Sequence, residues 1–354
     1  MTIASAFLAF VVTVVFLFAF RPVAVAIGLV DVPGGRKRHG VPVPLIGGIA
    51  MSIGLGFGTS LVEHPEFWNP ALLGIYLLVV VGTIDDRFDL PPNVRLIAQT
   101  CAALLVVFAS DLIVVRLGTP LFFEVPLGVL AVPFTVLFIV TLINAFNVID
   151  GIDGLAGGLA LLSLAAMAVI GADTAVFALV VIVLGVLAAF LLFNLPLGVN
   201  TPVRTFMGDA GSTSLGLTIA SVGIFLSQGS AARISPVIGL WLIAVPVFDL
   251  FSTIVRRLVQ RKSPLAPDHE HLHHVLTENG LSRRGTLWWM LGVAVVLACA
   301  GIVGNALAIP DGVMMIAWFA AGALYYGMMR HPALVVDLIV SVWPSAKNTG
   351  ARSS

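Results

Sequence analysis

Leu127-Gly-Val-Leu-Ala-Val-Pro-Phe-Thr-Val-Leu-Phe-Ile-Val-Thr-Leu-Ile-Asn-Ala-Phe146 carries no charged side chain over the length that crosses a bilayer. It then meets Asn147-Val-Ile-Asp150-Gly-Ile-Asp153-Gly154, a dense group of amide, carboxylates and glycines. The rest of the chain repeats this layout of long apolar runs joined by short polar segments. Of 354 residues, 59% are hydrophobic and 10% charged, with mean hydropathy +1.08. A soluble domain carries about a quarter charged residues, so the composition is that of an integral membrane protein and excludes a water-soluble enzyme. Eighteen basic and eighteen acidic residues cancel, and no basic face interleaved with aromatics supports nucleic-acid binding.

Apolar stretches near 3–20, 45–62, 71–84, 96–114, 127–146, 155–172, 175–193, 211–228, 235–255, 287–308 and 312–328 predict an all-α polytopic integral membrane protein of about eleven transmembrane helices. The boundary between the sixth and seventh is weak, resting on Gly171, Ala172, Asp173 and Thr174. The first stretch has no basic residue before it and is followed by Arg21, Arg36, Lys37 and Arg38, which predicts a retained span with its N-terminus outside. Threading the chain from there puts every lysine and arginine except Arg116 and Arg233 on the inner side, with the C-terminus cytoplasmic. One catalytic membrane domain over 1–344 is expected. Its working loops would be 21–44, 85–95, 144–154, 194–210 and 256–286, ahead of a polar tail at 345–354. A short helix lying on the inner membrane surface is expected at Asp337 to Trp343. Cys101 and Cys299 sit in apolar runs and read as small packing residues, not as a disulfide or metal pair.

The same topology gathers the chemically capable residues on the inner face. Asp85-Asp86 closes the third stretch; adjacent helical residues point about 100° apart, so the two carboxylates should do different work. Two anions at a membrane boundary call for a cation, from Arg87, Arg95 or a divalent metal, although a doublet alone also fits a solvated helix end. Asp150 and Asp153 share one side of a helical turn beside Asn147, a richer set than capping requires. Asp209, in Phe206-Met-Gly208-Asp209-Ala-Gly211-Ser212, stands at the expected N-cap of the eighth helix. Free backbone N–H groups there would suit phosphate and the carboxylate would suit magnesium, with plain capping as the alternative.

His269, His271, His273 and His274 follow Arg256, Arg257, Arg261 and Lys262 in the longest inner loop. No cysteine accompanies them, so hydrogen bonds to phosphate are preferred over zinc. In the first inner loop, Arg36-Lys37-Arg38-His39 precedes Pro44-Leu-Ile-Gly47-Gly48 and serves either anionic lipid or a phosphate. Carboxylates for a divalent cation, basic groups for phosphates and an apolar surround for a lipid tail together suit phosphoryl-linked transfer from a soluble nucleotide to a lipid phosphate. The rival is a secondary transporter. Transporter sites usually lie at the bilayer midplane between repeated halves, whereas only Asp249 falls within a span, where a pairing with Arg256 or Arg257 is expected.

These segments, in order from Asp31 to Arg284, resemble the polyprenyl-phosphate N-acetylhexosamine-1-phosphate transferases. Pro267-Asp268 followed by His271-Leu-His273-His274 resembles the N-acetylglucosamine branch rather than the one that transfers phospho-N-acetylmuramoyl-pentapeptide. The resemblance implies transfer of N-acetylglucosamine 1-phosphate from UDP-N-acetylglucosamine to undecaprenyl phosphate, with Mg2+ or Mn2+, in the bacterial inner membrane. This would be the first membrane step of lipid-linked surface polysaccharide synthesis, such as O antigen or enterobacterial common antigen. It implies Asp85 as the aspartate that deprotonates or orients the lipid phosphate, supported by Asp86, and Asp209 as metal ligand. Asp150 and Asn194 fall in the diphosphate and metal neighbourhood, and Asp153 and Phe206 contact uridine. Asn147, His271, His273, His274, Arg36 and Lys37 complete the expected substrate contacts. Another UDP-N-acetylhexosamine remains the alternative donor, and a homodimer is compatible with the sequence.

Overall fold

A computed structural model describes residues 1–31, 42–63, 66, 68–196, 205–263 and 271–347. Arg36, Lys37, His269 and the start of the histidine segment lie outside the described residues. The chain is a bundle of helices: α1 (Thr2–Ile27), α2 (Gly47–Thr59), α3 (Trp68–Phe88), α4 (Pro92–Ala109), α5 (Ala131–Ile149), α6 (Leu155–Ile170), α7 (Phe177–Asn194), α8 (Gly208–Ser227), α9 (Pro236–Leu242), α10 (Ala244–Val259), α11 (Leu272–Glu278), α12 (Arg283–Ala306), α13 (Asp311–Arg330) and α14 (Pro332–Val342). The one ladder among the described residues pairs β1 (Val30–Asp31) antiparallel with β2 (Val43–Pro44).

The burial pattern is that of a membrane protein. On α1, Ser5, Ala9, Thr13 and Leu17 face the bundle, while Phe7, Val11, Val15 and Phe18 face outward. Small residues turned inward let backbones approach, and large apolar ones meet lipid. Helix α8 is the hub, with 89% of its apolar window buried. Its serines and threonines turn their hydroxyls back onto the helix: Thr213 donates to Asp209 O at 2.6 Å and Thr218 to Ser214 O at 2.8 Å, so these hydroxyls do not meet the apolar interior unpaired.

Every expected apolar stretch becomes a helix or a helix pair. Among the described residues, seven helices qualify by length and composition to cross a membrane, and an eighth if the bent pair α9–α10 counts as one. Helices α2 and α6, at 13 and 16 residues, fall short of the ~20 residues that span the hydrocarbon core. The turn at Gly171–Thr174 does separate α6 from α7, with Thr174 N–H donating to Gly171 O at 2.9 Å.

The stretch read as one straight helix at 235–255 instead bends by 87° between α9 and α10. Pro246 is the physical reason, because it has no N–H to give the Leu242 carbonyl and its ring crowds that position. The freed carbonyls find other donors: Ser163 Oγ reaches Leu242 O at 2.7 Å and Trp318 Nε1 reaches Leu240 O at 3.3 Å. Cys101 and Cys299 are exposed, so they belong to the outward helix faces and not to the packed interior. The expected surface helix is present and longer, as α14. The start of the polar tail is docked: Ser282 N–H donates to Ala346 O at 2.8 Å, and Ala346 is buried against Gly285.

Candidate functional site

Helices α3, α5 and α10 end, and α4, α8 and α12 begin, at the same end of the bundle, and there the carboxylates collect. Asp85 and Asp86 close α3 and turn apart. Asp85 is buried and accepts from Leu90 N–H at 2.7 Å and from Arg95 Nη1 at 3.3 Å. Its carboxyl lies within hydrogen-bonding reach of Asp209, whose own Oδ2 is 3.8 Å from the same Arg95 nitrogen. Asp86 faces α8 and accepts from the backbone N–H groups of Asp209 at 2.9 Å and Ala210 at 3.5 Å.

That contact corrects the sequence reading of α8. Its N-cap is Met207 and its first residue Gly208, so Asp209 lies within the first turn. Two N–H groups expected to be free for phosphate are already taken by Asp86, which suits an anion at the positive end of a helix. Gly208 makes the approach possible: its φ is +70°, and a Cβ there would stand 2.3 Å from Asp86 Oδ2. The two neighbouring aspartates therefore differ in kind. Asp86 fixes the helix that carries Asp209, and Asp85 faces the cleft.

Asn147, in the last turn of α5, donates from Nδ2 to Asp209 Oδ1 at 2.8 Å and to Ser212 Oγ at 3.1 Å, orienting the carboxylate from behind. One turn earlier Asn144 donates to Gln99 Oε1 at 2.7 Å. Gln99 was not singled out in the sequence, although a buried amide in an otherwise apolar helix was the available signal. Asp150 follows α5, and burial, then the charges of Asp86 and Asp153, push its carboxyl up to about 7. A cleft of about 600 Å³ is lined by Asp31, Leu45, Asp85, Asp86, Arg87, Phe88, Asp89, Arg95 and Asp209.

Asn194, expected in the diphosphate and metal neighbourhood, bonds to two loops. Its Oδ1 accepts from Gly154 N–H at 2.7 Å and its Nδ2 donates to Thr205 O at 2.9 Å, so both ends of the amide tie loops together. The loop that carries Phe206 is tied in turn to β2 and α2, with Phe206 N–H donating to Pro44 O at 3.0 Å and Gly47 N–H to Phe206 O at 3.0 Å. Phe206 and Asp153 are half-buried at the rim of this assembly.

The histidines separate as well. His273 is fully buried on α11, and neither ring nitrogen has a hydrogen-bond partner. Burial pushes it down to about 3, which disfavours a charge on this ring. It packs against the Asp150–Asp153 turn, where a Cβ on Gly151 would meet its Nε2 at 2.0 Å. His271 is held by Asp249, and His274 is half-buried with its ring centroid 4.2 Å from that of His273.

The donor set fits a hard divalent cation. Magnesium takes one or two carboxylates and completes its sphere with water and substrate phosphate, and Asp85 and Asp209 are two adjacent carboxyls with one shared guanidinium between them. A softer metal has no set here: no group of three histidine, cysteine or carboxylate side chains closes on a point among the described residues.

The chain has recognisable relatives among known proteins. The family described as Glycosyl transferase family 4 matches residues 68–227, the segment from α3 through α8. Proteins named undecaprenyl-phosphate alpha-N-acetylglucosaminyl 1-phosphate transferase are similar over nearly the whole chain. The one from Yersinia pestis is 36% identical over 323 residues, 89% of this chain and 88% of the relative. That from Haemophilus influenzae is 36% identical over 333 residues, 92% and 94%, and that from Escherichia coli (strain K12) 35% over 325 residues, 89% and 88%. Full-length similarity at this level, with the family's matched region coinciding with the helices that build the carboxylate site, shows that the chain belongs to glycosyl transferase family 4.

Proposed function

We propose that this multi-pass membrane enzyme transfers N-acetylglucosamine 1-phosphate from UDP-N-acetylglucosamine to undecaprenyl phosphate, releasing UMP. Residues 1–344 act as one catalytic unit whose working end faces the cytoplasm of a bacterial inner membrane, because the basic residues gather at that end. The observation that carries the reading is the meeting of Asp85 and Asp209 around Arg95 in a polar cleft. Elsewhere in the bundle, an apolar groove of about 650 Å³ between α5, α10 and α13 is lined by Phe134, Leu137, Phe138, Phe248, Phe251 and Phe319, among others. A polar cleft for phosphates and apolar surface for a lipid chain are both needed to join a soluble donor to a lipid acceptor.

Asp209, with Asp150, would hold the divalent cation, Mg2+ or Mn2+, which when bound would neutralise the donor's diphosphate so that a second anion could approach. Asn147 orients Asp209, and Asp86 anchors α8 through its backbone. A phosphate monoester has its second pKa near 6 and arrives mostly doubly ionised, so Asp85 has little proton to remove. Its work is to orient the lipid phosphate for in-line attack on the sugar-linked phosphorus. Arg95 and, from the first inner loop, Arg36 and Lys37 supply positive charge to the phosphates. Phe206 and Asp153 receive the uridine, and His271 and His274 donate to the diphosphate. His273 and Asn194 hold the surrounding loops.

The test uses purified full-length protein with radiolabelled UDP-N-acetylglucosamine, undecaprenyl phosphate and magnesium. Lipid-linked label that needs the metal and is lost in Asp209→Ala is the expected result. A folded protein that binds UMP yet forms no labelled lipid would instead point to another sugar nucleotide.

A further inference from the structure

Asp249 takes no part in the chemistry described so far, yet it is 1% exposed and fully engaged. From α10 its Oδ2 accepts from His271 Nδ1 at 2.8 Å. Its Oδ1 accepts from the backbone N–H of Leu272 at 3.0 Å and from the Tyr325 hydroxyl of α13 at 3.0 Å. Thr253, one turn further along α10, places its Oγ1 3.2 Å from the same His271 nitrogen. The carboxylate thus turns to the histidine segment and not to Arg256 or Arg257 as the sequence had led us to expect.

This arrangement fixes both the ring of His271 and the main chain that follows it. A carboxylate facing Nδ1 keeps the proton on that nitrogen and, as a fixed anion beside the ring, supports a second proton on Nε2, at the opposite edge, from which the ring can donate to an anionic ligand. The ring is also held nearly parallel to that of His273, at 8° and 6.0 Å between centroids. A purely mechanical tie between loop and helix could be made by neutral groups at less desolvation cost than a buried carboxylate. We propose that Asp249, braced by Tyr325, is a positioning residue for His271, holding the ring's orientation and its Nδ1 proton so that Nε2–H can donate to the donor's diphosphate. The proposal rests on the transferase reading above.

Asp249→Asn is the informative variant, because it keeps the volume and can still accept from Leu272 and Tyr325 but no longer demands a proton on Nδ1. In the purified full-length protein labelled with 15N-histidine, and with His271→Asn to assign the signal, wild-type His271 should show a protonated Nδ1. Asp249→Asn should shift or broaden that signal. With UDP-N-acetylglucosamine, undecaprenyl phosphate and magnesium, kcat should fall about 10–100-fold in Asp249→Asn, the usual cost of losing an outer partner. In the His271→Asn background the same change should cost under about twofold, because the two act as one unit. Tyr325→Phe, which leaves the carboxylate in place, should lose activity by several-fold only and serves if Asp249→Asn does not fold. An unchanged His271 signal in Asp249→Asn, or losses that multiply in the double variant, would overturn the proposal. A wild type that transfers nothing overturns the transferase reading instead, and the spectra tell the two failures apart.

Discussion

The two ends of the bundle treat charge in opposite ways. At the end away from the cleft, Asp173 and Asp311 each have a match. Asp173 bonds Arg233 through a 2.9 Å contact that holds its carboxyl below the usual range. Asp311 accepts from Thr119 N–H and Oγ1 and from Ser235 Oγ. At the cleft end, Asp85, Asp86, Asp150, Asp153 and Asp209 crowd together, Arg95 is shared by two of them, and Asp150 is pushed up to about 7. Matched pairs hold a structure together. An excess of one sign, kept where burial makes it costly, marks the place where something charged is meant to arrive.

The contrast breaks most severely at Asp209. Asp209→Ala removes the carboxylate that Arg95 and Asn147 orient, and transfer should drop by about 10³-fold or more, with folding intact by thermal melting. Retained metal-dependent activity in that variant would end the assignment. A smaller effect is expected at Gly151, whose backbone abuts His273. Gly151→Ala must displace that ring, and a loss of about tenfold in kcat/KM is expected from the shifted Asp150–Asp153 turn, checked by steady-state kinetics.

Asp150 offers a sharper test of the surplus itself. Its folded value near 7 lies above the ordinary carboxyl value, so the metal-free folded protein binds a proton that the unfolded chain has released. Stability from this group is therefore present at acid pH and falls as pH rises from about 4 to about 7. Melting curves at pH 5 and 7.5 should show a larger drop for wild type than for Asp150→Asn, and added magnesium should shrink the difference. Arg233→Ala, at the matched end, should be the mildest change, altering transferase activity by less than about twofold because the exposed pair does local work only.

How much of this was legible in the sequence depends on range. The apolar stretches were read correctly because hydropathy is local, and each became a helix or a pair. The bend between α9 and α10 was missed although Pro246 stood in plain view, since the cost of a proline depends on whether Ser163 and Trp318 are there to satisfy the freed carbonyls. Asp85, Asp86, Asp209 and Asn147 stood out as polar residues in an apolar chain, and the fold brings them together. Their division of labour was not legible: that Asp86 would take the α8 N–H groups is decided by a contact across more than a hundred positions of sequence, and the bonds of Asn194 by loops meeting in the fold. The pairing of Asp249 with His271 and Tyr325 also depends on tertiary contact, while Arg256 and Arg257 lay closer in sequence and drew the eye.

The break at Ile243 has one more consequence. It turns α10 away from α9, and the apolar groove between α5, α10 and α13 lies along the turned helix; in the proposed reaction an acceptor with a long hydrocarbon chain comes from the leaflet while the sugar nucleotide arrives from water. The two substrates then obey different concentration laws. The nucleotide is counted in moles per litre, the lipid in mole fraction of the surface, so diluting the membrane with inert lipid should slow turnover even when the amount of every reactant in the tube is unchanged.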